Sequence, residues 1–184
     1  MKDNVRVKAN AMKKINEISM KGEIVVFGST YMANFPLYEL ANRCTFENAV
    51  YNRSIEGLTV DEALEIVDDC VISIRPCKIF LSLGEEDENE QDAMSQYTSL
   101  VAHIRSHLPE SHLYLIGLTG SGKHVEKFNE SIKSLCDNKK IKYIDFVSKP
   151  ISETALYRAR FKQLSCFFHS KSLTSGEAFA IASV

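Results

Sequence analysis

Ile24-Val25-Val26-Phe27-Gly28-Ser29-Thr30 decides the fold. A short run of β-branched and aromatic residues that stops at glycine and two hydroxyl residues is the pattern of a buried parallel strand. Such a strand delivers a polar turn to the carboxyl edge of a sheet, where α/β proteins bind ligands. Downstream, strand-like and helix-like segments alternate. Phe46 to Tyr51 is a short strand candidate, Ile79 to Leu83 a third strand, Leu113 to Leu118 a fourth and Ile141 to Asp145 a fifth. Between them, Thr59-x-x-Glu62 is a capping box opening a helix that carries Val60, Ala63, Leu64, Val67, Val71 and Ile74 and stops by Pro76. The acidic stretch Glu85 to Glu90 leads into a helix with Met94, Tyr97, Val101, Ile104 and Leu108 on one face, closed by Pro109. Val125, Phe128, Ile132 and Leu135 mark another. This alternation predicts βαβ units, hence a three-layer α/β/α sandwich with a five-stranded parallel sheet of flavodoxin-like type.

Outward from that frame, residues 1–20 read as a leading amphipathic helix on Ala11, Met12, Ile15 and Ile18, and Pro36 suits the first turn of a helix over Phe35 to Leu40. Ser152 to Val184 reads as two short helices around a Cys166-Phe167-Phe168-His169 turn. At 184 residues and 45% hydrophobic content the chain suits one domain. Its 22 basic and 24 acidic residues are interspersed, giving a net charge of -2 and no field to attract nucleic acid or an anionic membrane. No run has the length and apolarity to span a bilayer, and the amino terminus lacks the apolar core of a signal peptide, so the expectation is a cytoplasmic protein. Five scattered cysteines without a Cys-x-x-Cys pair predict reduced thiols rather than a disulfide framework. No spacing of His and Cys supports zinc, and the acidic run alone does not make a metal site, so no metal and no cofactor is expected.

Three blocks carry a family likeness: Phe27-Gly28-Ser29-Thr30, Asn52-Arg53-Ser54-Ile55-Glu56-Gly57 and Leu83-Gly84-Glu85-Glu86-Asp87. In order and spacing they resemble the first three blocks of the SGNH (GDSL-type) hydrolases. That family uses a nucleophilic Ser, an oxyanion hole made with a Gly and an Asn, and an Asp-x-x-His pair. The resemblance implies Thr30 as nucleophile, with Ser29 beside it in the pocket, and Gly57 and Glu86 at the oxyanion positions. His169 would be the base and Cys166 would stand at the Asp position. A gapless placement against Gly176 instead puts Lys171 at the position of the family's His. It also implies a small ester as ligand, such as an acetylated carbohydrate or a lipid.

Three of the four side chains are substituted, and each change weakens the chemistry. A Thr hydroxyl is competent, but its methyl crowds the approach to a carbonyl. A carboxylate at Glu86 lacks the donor that Asn supplies and repels the developing oxyanion. Cys cannot stabilise an imidazolium as a carboxylate does. The expectation is therefore an ester hydrolase with a degenerate site. One alternative is a non-catalytic binding or regulatory module on the same fold. A third reading rests on Gly117-Leu118-Thr119-Gly120-Ser121-Gly122-Lys123-His124, which nearly fits a phosphate-binding loop, with Lys123 placed for an anion and His124 replacing the Mg²⁺-binding hydroxyl. Whether exposed apolar faces form a homodimer stays open at this level.

Overall fold

The computed structural model describes residues 1–42, 44–88, 90–148 and 152–168. Five strands form one all-parallel sheet: β1 (Ile24–Gly28), β2 (Val50–Asn52), β3 (Lys78–Ser82), β4 (His112–Ile116) and β5 (Ile141–Ile144), in the order β2-β1-β3-β4-β5. Among the described residues seven α-helices accompany them: α1 (Asp3–Asn16), α2 (Thr30–Ala33), α3 (Leu37–Ala41), α4 (Val60–Cys70), α5 (Ala93–His107), α6 (Lys123–Ser134) and α7 (Glu153–Ser165).

The sheet separates two apolar layers because successive strand residues point to opposite faces. Val25, Phe27, Ile79, Leu81, Leu113 and Leu115 pack against Val5 and Ala9 of α1, Ala63 and Val67 of α4, Tyr97 and Leu100 of α5, and Phe128 and Ile132 of α6. Ile24, Val26, Phe80, Tyr114 and Ile116 meet Met32, Leu37, Phe161, Leu164 and Phe168 on the other face. The expected three-layer sandwich is thus the observed one. Burial on both faces is why each central strand reads as a continuous apolar run rather than as an alternating one.

The capping box forms as expected at Thr59 and Glu62, and fixes the start of α4. Other boundaries differ from the sequence reading. The leading helix ends at Asn16, not near Met20, and Ile15 and Ile18 are exposed. Asn16 replaces an apolar contact here: its amide donates to the carbonyls of Asp69 and Cys70 at 2.8 and 3.1 Å, and its oxygen accepts from Arg53 Nε at 2.9 Å. Phe46 is not in a strand. Its ring packs edge-on to Phe161 and Phe168, which leaves β2 only three residues long. Residues 152–168 hold one helix of 13 residues, and the second expected helix lies outside the described residues.

No helix among the described residues is long and apolar enough to cross a membrane. All five cysteines are free thiols.

Candidate active site

The strand order reverses between β1 and β3, which are neighbours in the sheet while the chain runs outward on either side of them. A crevice opens at the carboxyl ends of strands where this happens. Thr30 stands directly beyond β1 and the Gly84–Asp87 turn directly beyond β3, so the topology brings the first and third sequence blocks to one point. The second block arrives from β2. Asn52 closes that strand with its amide donating to Met32 O at 2.9 Å while its oxygen accepts from Ser54 N at 3.0 Å.

At that point a short chain of hydrogen bonds links all three blocks. The Gly57 amide donates to Thr30 Oγ1 at 2.9 Å, and the Thr30 hydroxyl donates to Glu86 Oε1 at 2.5 Å. Thr30, Gly57 and Glu86, read from sequence as one site, are in contact in the structure. The amide that would serve an oxyanion is spent on the hydroxyl, and the hydroxyl proton is directed at a carboxylate.

In the sequence the neighbouring carboxylates belong to an acidic lead-in to a helix. That helix begins at Ala93, so Glu85, Glu86 and Asp87 occupy a turn in which each accepts from a different donor. Glu85 Oε1 takes the Tyr31 amide at 2.8 Å and Asp87 Oδ1 takes the Val60 amide at 3.0 Å. Burial of its carboxylate pushes Glu85 above the ordinary range, with the charge of Glu86 adding to the effect against the Tyr31 amide. No periodicity announces these roles, because they depend on two helix starts far away in sequence.

Asp87 is 1% exposed and its Oδ2 has no hydrogen-bond partner. Burial raises its pKa; Asp61 and Glu90 add to this, while the Val60 amide and Lys2 oppose it. A carboxyl group with a raised folded-state pKa contributes stability that is present below the unfolded value and lost as pH rises through the folded one. Asp87→Asn keeps an acceptor for Val60 without the charge. It is expected to be more stable than the parent at pH 7, on the order of 1 kcal/mol, with the gap narrowing as pH falls toward about 4 and absent below it. Thermal unfolding of both proteins across that range checks this.

Of the remaining site residues, Ser29, Cys166 and Lys123 are among the described residues. Ser29 is fully buried with its hydroxyl unpartnered, so it lies behind Thr30 and not in a ligand's path. Cys166 does not join Thr30. Its thiol donates to Lys162 O at 3.1 Å, and the adjacent Phe167 carbonyl accepts from Lys78, the first residue of β3, at 2.7 Å. α7 starts beyond the carboxyl edge and runs back over the sheet, which carries Cys166 toward the opposite edge. His169, Lys171 and Gly176 lie outside the described residues. Lys123 opens α6, exposed, after the loop from β4; the start of that loop is held by Asn129, which bonds both the amide and the carbonyl of Leu118. Among the described residues no group of three His, Cys, Asp or Glu side chains is placed to hold a metal ion.

A five-stranded parallel sheet with helices on both sides matches the α/β fold of the SGNH (GDSL-type) hydrolases. Among solved structures, a protein provisionally named a platelet activating factor from Streptococcus pneumoniae superposes with a TM-score of 0.77 at 16% identity, over 90% of this chain and 92% of that one. A provisionally named acylhydrolase from Bacteroides fragilis gives 0.70 at 14% identity over 90% and 96%. A GDSL-like lipase from Bacteroides thetaiotaomicron gives 0.62 at 13% over 95% and 92%. At such identities the likeness is one of fold. No protein-family model matches the sequence, and comparison with curated protein sequences gives no match.

Proposed function

We propose that this chain is a divergent SGNH-type acyl-ester protein, cytoplasmic, whose hydrolytic step is suppressed at Glu86 and which retains the site as a ligand-binding one. The ligand class is a small acyl or acetyl ester, as on a carbohydrate or lipid. The observation that carries this reading is the chain Gly57 N–H to Thr30 Oγ1 to Glu86 Oε1. It supports a preserved first and second block, since the hydroxyl and the backbone donor are within one hydrogen bond. It also supports a blocked reaction. A tetrahedral intermediate would place a second negative charge beside the Glu86 carboxylate, where the two charges repel at short range.

The test is hydrolysis of 4-nitrophenyl acetate by the parent protein beside Thr30→Ala. Both are expected to run at the same rate, set by nonspecific surface groups. A parent rate more than about tenfold above Thr30→Ala would mean that Thr30 attacks despite Glu86, and the suppression would be wrong.

A further inference from the structure

Gly57 presents its amide to Thr30 from a turn whose type can be assigned. The Leu58 amide donates to the Ile55 carbonyl at 3.2 Å, Gly57 has a φ of +74°, and Glu56 has no positive φ. Together these make residues 55–58 a type II turn with glycine at its third position. Types I and II share their end residues and differ by turning the central peptide over. Glycine at the third position tolerates both forms. The central peptide here links Glu56 to Gly57. Its N–H points at Thr30 Oγ1, 2.9 Å away, so its carbonyl, on the opposite side of a planar trans unit, faces away from the site. In the type I form the two would exchange, and an acceptor would face Thr30 where the donor now stands.

The amino-terminal helix holds this turn from outside. Asn4, in the first turn of α1, donates its side-chain amide to Glu56 O at 3.1 Å, and Lys2 Nζ donates to Gly57 O at 2.7 Å. Glu62 of the capping box docks α1 there, since its carboxylate accepts the Lys2 backbone amide at 2.6 Å and Lys2 Nζ at 3.2 Å. The Lys2 bond to the turn is indifferent to a flip, because the Gly57 carbonyl belongs to the following peptide. The Asn4 bond is not, because the Glu56 carbonyl belongs to the peptide that turns over. We propose that Asn4 is a positioning residue for the Gly57 amide: it grips the Glu56 carbonyl, selects the type II form and keeps a donor aimed at Thr30. The consequence for an acyl ligand rests on the reading of Gly57 as the site's backbone donor. The orientation of the peptide does not, and it is measured without ligand or turnover.

Native-state hydrogen exchange, followed residue by residue by NMR, tests this in the parent chain, Asn4→Asp and Asn4→Ala. Asn4→Asp is nearly isosteric, has no donor when ionised, and places a negative charge where the first turn of a helix favours one, so α1 is kept. Asn4→Ala removes the donor without adding a charge. In both variants the Gly57 amide is expected to exchange about fivefold faster, the worth of one neutral hydrogen bond, because its N–H reaches solvent in the flipped form. The amides of Val60 and Ala63, bonded to Asp87 Oδ1 and Thr59 O at the start of α4, should keep the parent's rates. Gly57 exchange unchanged in either variant would overturn the assignment. Equal acceleration at Val60 and Ala63 would overturn it too, since Asn4 would then merely stabilise this corner of the fold. Thr30-dependent hydrolysis by the parent would refute suppression at Glu86 and leave this result standing.

Discussion

Glu86→Asn is expected to raise Thr30-dependent hydrolysis of 4-nitrophenyl acetate by about 10²-fold over the parent protein. The substitution changes two things at once. It removes the negative charge from the group that accepts the Thr30 proton at 2.5 Å, and it supplies an amide donor that a carboxylate lacks. A single oxyanion donor is typically worth ~10²–10³ in turnover, and the low end is expected because the Thr30 methyl still crowds the carbonyl. Adding Thr30→Ser should increase the rate further, and adding Thr30→Ala should return it to background. Glu86 is exposed, so the change leaves the core untouched and unfolding should stay near the parent's. If Glu86→Asn is as inert as the parent and Glu86→Asn with Thr30→Ser is inert too, the block lies in the absence of a base and not at Glu86.

How far this site was legible from sequence depends on which element carries each residue. Thr30 and Gly57 were legible because each stands at the exit of a strand or the entry of a helix whose own signals are strong: a five-residue buried run for β1, a capping box for α4. Glu86 was found through its position in the third block, but its hydrogen bond with Thr30 was not, since nothing local to either residue pairs β1 with β3. That pairing is a property of the sheet order. Asp87 and Glu85 escaped for the same reason: their partners are amides 27 and 54 residues away. Asn4 gave no sign at all, because an exposed asparagine in the first turn of a helix normally lies in water. Cys166 rested on the resemblance alone, which supplied an interval while the residues between supplied no check. The Phe167–Tyr114 and Phe168–Phe80 ring contacts that draw this turn over the middle of the sheet are long-range.

Gly84→Ala is expected to lower stability by about 3 kcal/mol, seen as a fall of roughly 10 °C in the unfolding midpoint. Two costs combine at this position. The backbone has φ +109°, a region that side-chain-bearing residues rarely adopt, and a methyl built there would come within 2.4 Å of the Phe128 ring. Phe128 is 5% exposed and packed edge-on against the fully buried Tyr97, so it has little room to retreat. Gly57→Ala separates the two costs. Its φ of +74° is also left-handed, yet nothing lies within 4 Å of the added methyl, so only the backbone term applies and a loss of about 1 kcal/mol is expected. The contrast matters for function because Gly84 opens the turn that presents Glu85, Glu86 and Asp87. If Phe128 holds its place, the turn must move, and the bonds to Tyr31, Thr30 and Val60 are lost together. Equal midpoints for the two alanine variants would show that the Phe128 ring yields freely and that the packing beneath the acidic turn does not position it.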